Sequence, residues 1–155
     1  MSTPPKADPA IYRKLRDQML QSEQPGFEPG AVQMVLMDWH LGNGTVTVLA
    51  AADGTASIYL SSGGGYIGGG QKYPAIRDAA LQAVRLATDL ISRFNPTESL
   101  NLPGADEVFF YLKTSKGVRL AIAREADLKS GQGPLAALGA VMQEVITQYR
   151  MNSPP

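Results

Sequence analysis

Two tight-turn signals bracket one short stretch of this chain and constrain its fold more than anything else in the sequence. Gly42-Asn43-Gly44 precedes Thr45–Ala52 and Asp53-Gly54 follows it, while Thr45-Val46-Thr47-Val48 alternates with a period of two. Such a stretch is a half-buried strand between two hairpin turns. Its neighbours, Ala31–Leu41, rich in Val, Met and Leu, and Thr55–Ser61, then read as strands. The three form an antiparallel meander.

Helical periodicity flanks the meander. Asp8-Pro9 supplies a capping residue and a preorganised first helical position. Ile11, Leu15 and Met19 recur every four residues, so an amphipathic helix is expected over Pro9–Ser22, ended by Pro25-Gly26 and Pro29-Gly30. The longest helix is expected over Tyr73–Phe94. Ile76, Ala79, Ala80, Ala83, Val84, Ala87, Leu90 and Phe94 share one face, and Arg85, Asp89 and Arg93 form a charged ladder opposite. Asn95–Ala105 reads as a loop. Asp106–Thr114 and Gly117–Ala123 read as a second hairpin around Ser115-Lys116-Gly117, Glu125–Gly133 as a polar connection and Pro134–Met151 as the last helix.

The order α-β-β-β-α-β-β-α fits one domain with an ordered core over about 9–151. It is expected to be a two-layer α+β fold, a five-stranded antiparallel sheet with helices on one side. In the register assumed, Val35, Met37, Trp39, Val46, Val48, Ile58, Leu60, Val108, Phe110, Leu112, Val118, Leu120 and Ile122 face inward. Tyr59, Phe109 and Tyr111 then face the other way, either as a partner surface or beneath a covering helix or loop.

This element order resembles that of the type III secretion chaperone fold, across Pro9–Met151 and at the level of topology alone. The resemblance implies a dimer that holds a partner polypeptide along apolar patches. The profilin-like folds, with a helix earlier among their strands, are the second candidate.

Composition removes several function classes. Fourteen basic residues balance fourteen acidic ones among 155, so no overall field draws the chain to nucleic acid or an anionic membrane. There is no cysteine, hence no disulfide and no thiolate chemistry. Without an apolar leader or a membrane-length apolar run, a cytoplasmic protein is expected.

Candidate sites are few. The stretch Ser61-Ser62-Gly63-Gly64-Gly65-Tyr66-Ile67-Gly68-Gly69-Gly70-Gln71 runs into the long helix. Free amides there, with Ser61, Ser62, Gly63, Gly64, Gly65, Gly68, Gly69, Gly70 and Lys72, could cradle an anion. The flanks lack the Gly-Lys-Ser/Thr of a phosphate loop and the parallel βαβ unit of a dinucleotide site. The alternative is a structural crossover in which Tyr66 and Ile67 form an apolar plug. Asp38 and His40, two apart on a strand, could pair for base catalysis. No nucleophile motif accompanies them, and they read most simply as solvent-facing. One histidine cannot build the usual histidine-rich metal site, so no catalytic residue, metal or cofactor is expected.

The leading functional expectation is a non-enzymatic, homodimeric or chaperone-like binding module. Its partner is another protein, with Tyr59, Tyr66, Ile67, Leu81, Phe109 and Tyr111 as anchors. The second is a small-ligand or anion sensor centred on Gly63–Gly70.

Overall fold

The computed structural model describes residues 9–22, 27–42, 44–66 and 69–152. The expected meander is present: β1 (Val32–Leu41), β2 (Gly44–Ala51) and β3 (Ala56–Leu60) pair antiparallel in sequence. After the two-residue β4 (Gly65–Tyr66), the chain enters α2 (Pro74–Asp89) through a 3-10 turn. A short β5 (Asn95–Pro96) then precedes the hairpin of β6 (Glu107–Thr114) and β7 (Gly117–Arg124). The described sheet is open and antiparallel, in the order β4-β3-β2-β1-β6-β7-β5. It has seven strands rather than five, because β4 and β5, two residues each, extend the edges.

β1 is the central strand, and Val32 through Trp39 are buried without alternation. That pattern requires cover on both faces. On one face Val35, Met37, Trp39, Val48, Ile58, Phe110 and Leu112 pack against α2 and α4 (Ala136–Asn152). On the other, Met34, Leu36, Leu49, Tyr59, Phe109 and Tyr111 pack with Tyr12 and Leu20 of α1 (Pro9–Gln21). The molecule therefore has three layers, and the expectation of helices on one side is corrected. The alanine-rich face of α2 is buried as its periodicity implied, with the last expected turn drawn into a 3-10 turn at Ile91–Arg93 before Pro96.

Three further expectations change. In α1 the buried stripe is Tyr12, Arg16 and Leu20, one residue on from the apolar series; Ile11 and Leu15 are exposed. In β7, Val118 and Leu120 face the α1 side and Ile122 is exposed, while Ala121 packs with the α2 side. The cause is parity. The β6–β7 turn closes at Thr114 opposite Gly117, which sets Phe110 against Ala121, and a shift of one residue reverses every side chain. Finally, Glu125–Ser130 is a helix, α3, not a connection. Its acidic first turn, a Glu125–Lys129 ion pair at 2.9 Å and left-handed Gly131 after its end account for it.

Candidate functional site

The helical layer does not cover the whole sheet. Beyond the positions packed under α2, the ends of β1, β2 and β3 present Trp39, Leu41, Val46 and Leu60 on the helix side, and the C-terminal half of α4 passes beside them. Between sheet and helix lies a cavity of about 400 Å³. Met37, Trp39, Val46, Ile58, Leu60, Ile146 and Tyr149 line it, and Leu41, Tyr66, Lys129, Gln143 and Arg150 complete the wall. A second hollow of about 330 Å³ shares Leu41, Val46 and Leu60 and continues to Thr45, Ser61 and Ser62. The two hollows adjoin at these shared side chains and together form the trough. Leu41 is 52% exposed and Tyr66 49%, so the trough is open at these two residues.

The glycine stretch builds one end of the trough. Gly63, Gly64 and Gly65 all have positive φ and fold β3 back onto β4, with the Leu60 N–H donating to Gly64 O and the Gly63 N–H to Leu60 O. Gly65 runs so close to β3 that a Cβ there would meet the Ile58 carbonyl oxygen at 2.1 Å. Tyr66 follows, paired with Ile58 and stacked on Tyr149 of α4. Tyr149 is itself fixed: its hydroxyl accepts the Gly69 N–H at 2.7 Å and donates to Ala56 O at 2.5 Å. Burial pushes its phenol pKa up, opposed by the Gly69 bond.

The same contacts engage groups of the expected anion cradle. Gly69 donates to Tyr149, Ser61 Oγ accepts the Thr45 N–H at 2.8 Å, and Gly70 packs against the Gly54 carbonyl. The Lys72 ammonium lies over the Tyr73 ring, 5.6 Å from its centre. Ser62 is exposed. Ile67 and Gly68, named with the plug and the cradle, lie outside the described residues.

The opposite rim is held by Trp39 and α3. The Trp39 Nε1–H donates to Glu125 Oε2 at 2.6 Å, and Glu125 pairs with Lys129. Lys129, and then Trp39, hold the Glu125 carboxyl below its ordinary pKa. Arg150 is exposed and makes no ion pair among the described residues. Among the described residues, no carboxylate lines either part of the trough.

The remaining expected anchors fall elsewhere. Tyr59, Phe109 and Tyr111 are covered within the chain by α1, so the covering-helix reading replaces the open surface. Leu81 is half-buried on α2. Asp38 is not solvent-facing. Its carboxylate is fully buried and accepts from Arg16 Nε at 3.0 Å, Arg16 Nη2 at 2.5 Å and Thr47 Oγ1 at 2.6 Å, and Tyr12 donates in turn to Thr47. Arg16 also donates to the carbonyls of Leu100 and Asn101 and lies over the Tyr111 ring. Both Asp38 oxygens are thereby engaged away from His40. This network clamps α1 and the 97–106 loop onto the sheet, and sequence reasoning missed it. The trough was missed too, because it depends on where α4 runs rather than on any motif.

No group of three or more His, Cys, Asp or Glu side chains suited to a metal occurs among the described residues. Among them, too, no helix is long and apolar enough to cross a membrane. No protein-family model matches the chain, and no curated protein or solved structure is detectably similar to it.

Proposed function

We propose that the protein is a non-enzymatic binding module that receives a small apolar ligand in the trough between α4 and the β1–β3 meander. One observation carries this reading. An apolar cavity of about 400 Å³ opens beside two large, exposed apolar side chains, Leu41 and Tyr66, and its size and lining are those of small-molecule sites. The glycine stretch then belongs to the site as the support that sets Tyr66 over the cavity, not as a phosphate cradle. The non-catalytic character is supported by Asp38, whose carboxylate is committed to Arg16 and Thr47.

A thermal-shift series tests the reading, since a ligand of the folded state raises the melting temperature by mass action. Medium-chain alcohols and carboxylates are expected to raise it, whereas nucleotides, inorganic phosphate and sugar phosphates are not. A rise with phosphates alone would return the site to the glycine amides.

A specific observation also favours the homodimer reading. β5 pairs with β7 only at Arg119 and Leu120, so the outer edge from Ala121 to Arg124 carries no strand among the described residues. Ile122, at its centre, is 54% exposed. An open strand edge with an exposed β-branched residue is a template for pairing with a second copy. Light scattering is expected to give twice the chain mass, and Ile122→Lys to halve it; a wild-type monomer would remove this reading.

A further inference from the structure

We propose that the ligand of the trough is an unbranched acyl chain ending in a carboxylate. This rests on the apolar-ligand reading above and adds the shape and charge of the ligand. Shape comes from the adjacency of the two hollows: they share Leu41, Val46 and Leu60, with Met37, Trp39 and Tyr149 in the wall of one and Ser61 and Ser62 in that of the other. Two adjoining hollows suit a chain better than a fused ring system, and each methylene they bury adds to affinity.

Charge comes from the rim. Of its two cations, Lys129 is neutralised by Glu125 at 2.9 Å, which leaves Arg150 with no ion pair among the described residues. One uncompensated guanidinium beside an apolar trough, with no carboxylate in either wall among the described residues, matches a single negative headgroup. A phosphate ester would call for more donors than Arg150 and Gln143 supply, and the Gly69 amide of the glycine stretch is already bonded to Tyr149. A cationic headgroup would meet Arg150 unfavourably.

Trp39 is the chain's only tryptophan and lines the cavity, so its emission reports occupancy. The full chain is titrated, below the micelle concentration, with dodecanoate, dodecanol and dodecyltrimethylammonium. Dodecanoate is expected to shift Trp39 emission saturably and to bind at least tenfold more tightly than dodecanol, with the ammonium weakest. Arg150→Glu, at an exposed position, is expected to weaken dodecanoate at least tenfold and leave dodecanol unchanged. Ile146→Phe, which fills the cavity, is expected to abolish both, whereas adsorption elsewhere on the surface would survive it and overturn the assignment. Equal binding of dodecanoate and dodecanol, indifferent to Arg150→Glu, would overturn the carboxylate and leave the apolar-ligand reading standing. Absence of binding by all three would overturn both.

Discussion

The rings of Tyr66 and Tyr149 lie with their centres 5.3 Å apart and their planes inclined by 33°. One of the pair is anchored and the other is not. Tyr149 is buried and bonded to Gly69 and Ala56, while Tyr66 is half exposed at the cavity. Tyr149→Phe is therefore expected to destabilise the fold by about 1–3 kcal/mol, because it strands a buried amide and a buried carbonyl. Tyr66→Ala is expected to cost less than about 1 kcal/mol, as an exposed position away from such features does. Urea denaturation of both variants checks the ordering.

The Arg16–Asp38 pair calls for a double-mutant cycle. Both side chains are fully buried, so Arg16→Met leaves Asp38 uncompensated, at a cost of about 3–5 kcal/mol, whereas Asp38→Asn is expected to cost less because Arg16 keeps its ion pair with Asp17. The double variant is expected to lose clearly less than the sum of the two. Strict additivity in urea melts would show that the pair is not coupled.

Alkaline titration reads the buried phenols. Burial, with the Asp38 charge, pushes the Tyr12 pKa up from 10.0 to about 12, and burial raises those of Tyr59, Tyr111 and Tyr149. A raised folded-state pKa favours the protonated phenol in the native protein. The stability this contributes is complete below the unfolded value of about 10 and is lost as pH climbs through the folded one. Part of the phenolate absorbance change is thus expected only together with the loss of circular dichroism. If all phenolate signal developed before unfolding, the burial of these rings would be contradicted.

Two glycines separate steric need from backbone need. A Cβ at Gly70 would lie 1.9 Å from the Gly54 carbonyl oxygen, backbone against backbone. Gly42 has φ +57° with open space around it. Gly42→Ala is expected to cost about 1–2 kcal/mol, the left-handed penalty. Gly70→Ala is expected to cost more than about 3 kcal/mol, beyond the range of ordinary substitutions. Equal melting temperatures for the two variants would refute the distinction.

Much of the architecture was legible in the residues. Asp53-Gly54 and the Thr-Val alternation are local signals, and local signals decide hairpins. The alanines of α2 announced a face for close packing, and that face is buried. What failed to show depends on distant or parity-sensitive facts. Arg16 spoils the buried stripe of α1 for any hydrophobic pattern, and its burial is made tolerable largely by partners far along the chain, Asp38 22 positions on and the carbonyls of Leu100 and Asn101. In β7, the apolar residues Val118, Leu120 and Ile122 outweigh Ala121 and Ala123 on sight, yet the two-residue turn at Ser115-Lys116 overrules them. The Glu125–Lys129 spacing and Gly131 did mark α3, but six residues are too few for periodicity to register. The trough had no signature, since Trp39, Val46 and Leu60 look like any core residues until α4 is seen to leave them partly uncovered.

The central position of β1 bears on how the chain is made. Its neighbour β2 follows at once, but β6, on its other side, lies about seventy residues further along. At ribosomal speeds of roughly 5–20 residues per second, that gap lasts several seconds. Throughout it, the nascent meander carries an apolar strand with an unpaired edge; α1, already synthesised, covers one face, and the other waits for α2 to emerge. The strand that ends as the best protected in the molecule begins as its most exposed, and the interval before β6 arrives is when the chain is most open to aggregation.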